Sequence, residues 1–314
     1  MSVVCSEITD SVLLEKVALY GAKRFVYANI DAKTRAELPF PSDYEFLPCF
    51  LPKKYEKLSN RIQNFKVRPN DIWVVSFPKA GTTWIYNIVH QMRNNLDFSA
   101  NFVPTLYGYF ERAILFENQN NDDDFECFIN EVHKDMDNFD EDISPRVIKS
   151  HLPAHLLPQE VWTVKPKIIY VHRNAKDVSI SMYHMFRNHK YIRLGGSIEE
   201  HFENFLNGHV TYSSYHAHVN SFLQLQQMEN FLLIKYEDMA DSIDGIKKIN
   251  DFLDYSYSDN QLIQLAEHCS FDNMRKKQRF NTSFFPNFFR KGKAGGYQDE
   301  MSPEYIERFD QWKV

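Results

Sequence analysis

DIWVVSFPKAGTTW, residues 71–84, is the stretch on which the fold turns. Its first half, Asp71 to Phe77, is short, apolar and β-branched, the pattern of a strand buried between two layers. Pro69 and Asn70 mark its start. The segment from Thr83 to Arg93 reads as a helix, so PKAGTTW forms the turn from strand to helix. Such a turn aims backbone N–H groups and the positive end of a helix dipole at whatever sits above it. Lys79, a glycine at 81 that permits close backbone approach, and the hydroxyls of Thr82 and Thr83 complete a phosphate cradle. The arrangement GxxxxGK[ST] is absent, because the lysine here precedes the glycine. A plain turn with a helix N-cap has similar composition. Trp84, whose indole is suited to stacking on a base, favours the cradle.

The same grammar recurs outward from this stretch. KIIYVH, residues 167–172, is a second buried strand, followed by RNAKDVSISMYHMF, in which Asp177, Ile180, Tyr183 and His184 have helical spacing. NFLLIKY, residues 230–236, is a third strand. Near-continuous apolar strands separated by helical stretches predict an α/β fold with a central parallel sheet and helices on both faces. Ligands in such sheets bind at the carboxyl ends of the strands, and Lys79, Arg173 and Tyr236 fall at or just beyond three of those ends. No Gly/Ser-rich or Pro-rich linker interrupts the motifs between Phe77 and Tyr297. A single domain over residues 1–314 is therefore expected, with an N-terminal extension over about 1–45 and a motif-bearing core over about 70–312.

Composition narrows the partners. With 314 residues, 43% of them hydrophobic, the chain can bury a sizeable core. A formal net charge of -6 disfavours a nucleic-acid backbone or an anionic membrane as main partner, so any anion site must be local. Cys5, Cys49, Cys127 and Cys269 are scattered without metal-ligand spacing, which suits a reducing, cytoplasmic setting. The opening MSVVCSEITDSVLLEKV lacks the pattern of a signal peptide, and no run of 18 apolar residues predicts a membrane span. The sequon Asn281-Thr282-Ser283 is then an accident of composition. The acidic stretch from Glu117 to Asp142 reads as a solvated excursion without chemistry.

Three further clusters accompany the cradle. VIKSHLP, residues 147–153, sets Lys149 and His151 on one side of an extended segment, where a histidine beside a nucleotide site becomes a candidate general base. Arg173 follows the second strand and Ser181 lies about two helical turns on, so the pair can hold a phosphate by a bidentate fork and a neutral hydroxyl. An ion pair between Arg173 and Asp177 is the competing reading. FRKGK, residues 289–293, puts Arg290, Lys291 and Lys293 around Gly292, either an anion-binding loop or a solvated basic run.

PKAGTTW, IKSHLPAHLLP, YVHRNAKDVSISMYHMF, LLIKYEDM and FFRKGKAGGY stand in the order and approximate spacing of the cytosolic sulfotransferases that use 3′-phosphoadenosine 5′-phosphosulfate (PAPS). The chain resembles an insect-type member of that family from about Asn70 to Trp312. The resemblance implies a P-loop-like α/β domain, PAPS as sulfonyl donor, adenosine 3′,5′-bisphosphate (PAP) as product, and no metal. By it Lys79, Ala80, Gly81, Thr82 and Thr83 match the loop that holds the 5′-phosphosulfate. Arg173, Ser181, Arg290, Lys291 and Gly292 match residues that hold the 3′-phosphate. Trp84 and Phe271 would flank the adenine, and Tyr236 and Met274 match further nucleoside contacts. Cys269 stands where many members carry threonine. His151 would take the acceptor proton, Lys79 would stabilise the leaving oxygen, Lys149 would face the sulfonyl oxygens, and Ser181 completes the catalytic set. Two departures are visible. Gly295-Gly296-Tyr297 replaces the family's GDW, and the KxxxTVxxxE dimerisation segment is missing, so dimerisation by that route is not expected. Relatives continue through a final helix beyond the position of Trp312, which suggests a shortened C-terminus.

The expected acceptor is a small, hydroxyl-bearing apolar molecule, a phenol, sterol or other alcohol, with neither nucleic acid nor membrane as partner. Tyr107, Tyr109, Phe110, Met182 and Met185 are the candidate acceptor walls, each equally at home in a core. A nucleoside-phosphate kinase would need a Mg²⁺-binding acid near the loop. A binding module without turnover would tolerate replacement of His151. A luminal carbohydrate sulfotransferase would need an anchor or signal segment.

Overall fold

A computed structural model describes residues 2–11, 13–14, 24–99, 108–114, 139, 144–187, 196–240, 243–277 and 288–312. Among them run strands β1 (Val3–Glu7), β2 (Phe25–Ile30), β3 (Cys49–Pro52), β4 (Ile72–Ser76), β5 (Val147–Ser150), β6 (Lys167–His172) and β7 (Phe231–Lys235). The last four form a wholly parallel sheet in the order β5-β4-β6-β7. The chain leaves β4 to one side for β5 and then returns to the other side for β6. The order therefore reverses beside β4, and a sheet of this kind opens its ligand crevice at the carboxyl end of that point.

The apolar runs that define these strands split by alternation into two cores. Ile72, Val74, Ile169, Val171 and Ile234 pack with Ile85, Ile88 and Val89 of the helix Thr82–Arg93 on one face. Trp73, Val75, Ile148, Ile168 and Tyr170 face the other way and join Val178 and Ile180 of the helix Ala175–Arg187. A strand with apolar residues in both sets has no solvent face, which is why β4 and β5 are buried throughout. The ends differ from expectation by a residue. Asp71 stops short of the ladder because its carboxylate accepts the Arg68 N–H (2.8 Å) and a fork from Arg146 (2.8 and 2.6 Å). Tyr236 leaves the sheet to open the helix Tyr236–Ala240. The Asp71–Arg146 pair is fully buried and ties β4 to β5 at the end of the sheet opposite the crevice.

β1, β2 and β3 form an antiparallel sheet, and Ile8, Phe25, Val26, Phe50 and Leu51 belong to the same core as Trp73, Val75 and Tyr170. Among the described residues no helix is long and apolar enough to cross a membrane.

Candidate active site

The turn after β4 is held in a left-handed conformation at two points, Lys79 with φ 71° and Gly81 with φ 110°. Glycine is required at 81, since a Cβ there would lie 2.6 Å from the Tyr236 ring. The helix Thr82–Arg93 starts without a side-chain cap, which leaves its first N–H groups facing the crevice. Ala80 is buried and turns its own N–H to the Phe77 carbonyl (3.2 Å). The hydroxyl of Ser76 donates to the Phe77 carbonyl (2.8 Å), so the 2.5 Å contact between Thr82 and Ser76 is a bond that Thr82 donates. Thr82 therefore offers the crevice its N–H and not its hydroxyl, and Thr83 beside it is half-buried.

Cations from a further strand end and a distant loop crowd this turn. Arg173, just past β6, is 8% exposed and stacks on the Tyr236 ring at 4.1 Å. It donates to the carbonyls of Lys79 (3.3 Å) and Lys293 (3.1 Å), while its Nε is buried without a partner. Asp177 lies 3.8 Å away, so the ion pair that competes with an anion-binding role for Arg173 is present. The same carboxylate accepts the N–H groups of Gly295 (2.7 Å) and Tyr297 (2.9 Å), which pins the RKGKAGGY loop against the helix Ala175–Arg187. Burial, with Arg173 and Arg290 close by, lowers the Lys79 ammonium to about 7. Its Nζ sits 3.9 Å over the Phe288 ring.

Several other residues of the expected nucleotide set pack against one another. Trp84 meets Tyr236 edge-on at 5.5 Å, and its indole N–H is buried without a partner. Phe271 meets Phe289 edge-on at 5.7 Å, and a Cβ at Gly292 (φ 65°) would lie 2.2 Å from the Phe271 ring. Met274 is buried in the core on which Trp84 and Phe289 rest, and Ser181 is half-buried on its helix. Arg290 pairs with Glu300, Lys291 lies 2.7 Å from Asp299 and 3.0 Å from Glu300, and His184 also bonds Glu300. These two acids, which motif reading passed over, screen the basic loop.

The end of β5 carries the remaining groups. Lys149 is 2% exposed, with its Nζ 5.5 Å over the rings of both Tyr86 and Tyr109. Burial lowers its ammonium to about 7, against the opposing charge of Glu111. The Nδ1 of His151 lies 2.8 Å from the Ser76 carbonyl, which can only accept, so Nδ1 carries the proton and Nε2 keeps its lone pair. Burial pushes this imidazole down to about 3 despite that bond, with Lys149, His218 and Lys79 adding to the effect. His218 Nε2 donates to the His151 carbonyl (2.9 Å) and its Nδ1 accepts from Tyr170 (3.0 Å).

The acceptor candidates separate. Tyr109 stands edge-on to His151 at 5.0 Å, with Tyr212 at 5.8 Å and the two phenols 2.5 Å apart. Phe110 packs on Phe65 (4.8 Å) and Trp73 (5.2 Å) inside the core. Met182 is fully buried and Met185 lies half-buried against the same core. Tyr107 falls outside the described residues. Glu111, Tyr212 and His218 reach the site through packing, and no spacing in the sequence signals them. Among the described residues no group of three or more His, Cys, Asp or Glu side chains is placed to hold a metal.

An uncapped helix start, cations from neighbouring strand ends and a neutral imidazole on one rim define an α/β transferase that works on an anionic donor. The comparisons agree. The family model described as the sulfotransferase domain matches residues 69–313, and the chain belongs to that family. It is 31% identical over 268 residues to the cattle enzyme Sulfotransferase 1E1, covering 82% of this chain and 87% of that one. It is also 31% identical over 300 residues to the luciferin sulfotransferase of Photinus pyralis, covering 87% and 80%. Among solved structures, retinol dehydratase with androsterone and PAP superposes with TM-score 0.81 at 21% identity, over 99% of this chain and 95% of the other. Mouse SULT7A1 with PAP gives TM-score 0.67 at 25% identity, over 86% and 92%. The chain is accordingly a sulfotransferase with a parallel-sheet, P-loop-like fold.

Proposed function

We propose that the protein transfers a sulfonyl group from PAPS to a hydroxyl of a small, largely apolar acceptor such as a phenol, sterol or other alcohol, with His151 as general base. A relative named luciferin sulfotransferase and fold neighbours solved with PAP, one of them also with androsterone, support the donor and the acceptor class. The donor fits the residues present. Arg173 Nε and Trp84 Nε1 are buried donors without partners, and Lys79, Arg173 and Arg290 repel one another in a way that bound phosphate would offset. PAPS supplies an activated S–O bond whose leaving group is a phosphate.

The observation that carries the reading is the tautomer of His151. Its Nε2 lone pair, on the rim shared with Lys79 and Lys149, can accept the hydroxyl proton as the oxygen attacks. Lys79 stabilises charge on the leaving oxygen, and Lys149 faces the equatorial oxygens of the sulfonyl group. Arg173, Ser181, Arg290 and Lys291 hold the 3′-phosphate, with Gly292 giving the loop close approach. Trp84 and Phe271 flank the base while Tyr236 and Met274 back it. Tyr109 orders the acceptor beside His151. The cytoplasm is the proposed working place, and none of Cys5, Cys49 and Cys269 is in a disulfide.

His151→Ala should keep PAP affinity within about twofold and lose at least about a hundredfold in turnover of a simple phenol with PAPS. Turnover by His151→Ala close to that of the unaltered enzyme would defeat the general-base role.

A further inference from the structure

Glu111 is 1% exposed and lies on the short segment that bridges to β5, where Tyr109 pairs with Lys149. Its Oε2 accepts the Ser150 hydroxyl at 2.9 Å and its Oε1 accepts the His151 main-chain N–H at 2.7 Å. Ser150 Oγ accepts in turn from the Leu152 N–H at 3.1 Å. One carboxylate therefore fixes three successive residues at the carboxyl end of β5. Burial raises this carboxyl to about 7, against the bonds from the His151 N–H, the Ser150 hydroxyl and Tyr212, so it carries its full charge only above that pH. The groups that face it are Cys49 from β3, Tyr55 from the helix Lys54–Gln63, Tyr109, Tyr212 and Lys149. Of these, Lys149 is the cation.

We propose that Glu111 is a positioning residue for the transfer, setting the place of His151 through its main chain and supplying a negative charge that favours the ammonium form of Lys149. The inference rests on the reading of His151 and Lys149 given above. The geometry explains why an acid stands there: a neutral side chain of the same length could accept the His151 N–H but would not supply the negative charge that faces Lys149. Burial lowers the Lys149 ammonium to about 7 while Glu111 opposes that shift, so removing the charge lets the lysine lose its proton at still lower pH. The Tyr86 and Tyr109 rings and the neutral His151 also face Lys149.

The test compares Glu111→Gln and Glu111→Ala with the unaltered enzyme, using His151→Ala and Lys149→Ala as references. Turnover and KM for a simple phenol with PAPS are followed from about pH 6 to about pH 9, with PAP affinity by calorimetry and melting temperature beside them. Glu111→Gln should bind PAP within about twofold of the unaltered enzyme, with kcat reduced about tenfold, KM nearly constant and the alkaline limb of kcat moved to lower pH. Glu111→Ala, which also frees the His151 main chain, should lose a further factor of about ten or more. Glu111→Gln with the original kcat and alkaline limb would overturn the proposal while leaving the sulfotransferase reading intact. So would a loss of kcat that merely parallels losses of PAP affinity and melting temperature, with the limb unmoved. Absence of sulfonyl transfer by the unaltered enzyme, with no difference on replacing His151 or Lys149, would overturn both.

Discussion

Lys79 shows what a single residue in this crevice must tolerate. Its ammonium is lowered to about 7 by burial and by two arginines, so near neutral pH it is only part-charged until an anion arrives. A polyanion beside it restores the proton, because opposite charge favours the ionised form. PAP binding near pH 7.5 should therefore take up a fraction of a proton, read as a dependence of the calorimetric heat on the buffer's ionisation enthalpy. Lys79→Met should diminish that uptake and slow transfer by about a hundredfold or more while weakening PAP binding less. Buffer-independent heats, or unchanged turnover in the variant, would remove the leaving-group role. Lys79 and Arg173 stand out in the sequence because each sits in a short contiguous motif after an apolar run that reads as a strand. Glu111, Tyr212 and His218 do not, because their proximity to His151 comes from side chains that cross between elements 39 to 103 positions apart. The fate of the Thr82 hydroxyl, spent on Ser76, was equally invisible, since composition cannot say which partner a hydroxyl chooses.

At the scale of elements, the turn between β4 and the helix Thr82–Arg93 carries the most constraint. Gly81→Ala places a Cβ against the Tyr236 ring in a conformation that L residues avoid. It should reduce PAP affinity about tenfold or more and lower the melting temperature by a few degrees, from strain of about 1–3 kcal/mol. Wild-type affinity in this variant would show that the turn is not the anion cradle. Three of the four parallel strands were readable because continuous apolar runs with turn residues at both ends have few other homes, whereas β5, only four residues long, read merely as an extended segment. The antiparallel sheet of β1, β2 and β3 was not readable. Its strands are short, β1 is largely exposed, and Val26 pairs with Glu7 and Leu51 across long separations that local pattern does not encode.

Over the whole molecule, buried histidines couple stability to acid. His155, His201 and His218 are each at most 3% exposed, and burial pushes all three down to about 3 from 6.5. The unfolded chain binds these protons first, so the native state loses stability as pH falls from about 6.5 toward 3 and is unaffected by them above that window. Each histidine adds a slope of up to about 1.4 kcal/mol per pH unit. Denaturant midpoints should drop clearly between about pH 7 and pH 5, before most carboxylates titrate. His155→Phe should flatten part of that slope, its two ring nitrogens having no partner to lose. A midpoint constant over the interval would contradict the burial of these rings.

The central claim, that this crevice is built for a nucleotide carrying a 3′-phosphate, is tested most directly by calorimetric titration with adenosine 3′,5′-bisphosphate beside 5′-AMP. The cations Arg173, Arg290 and Lys291 predict a preference for the bisphosphate of at least about a hundredfold, diminished in Arg173→Ala. Equal affinity for the two nucleotides would contradict the assignment of the 3′-phosphate site and, with it, of PAPS as donor.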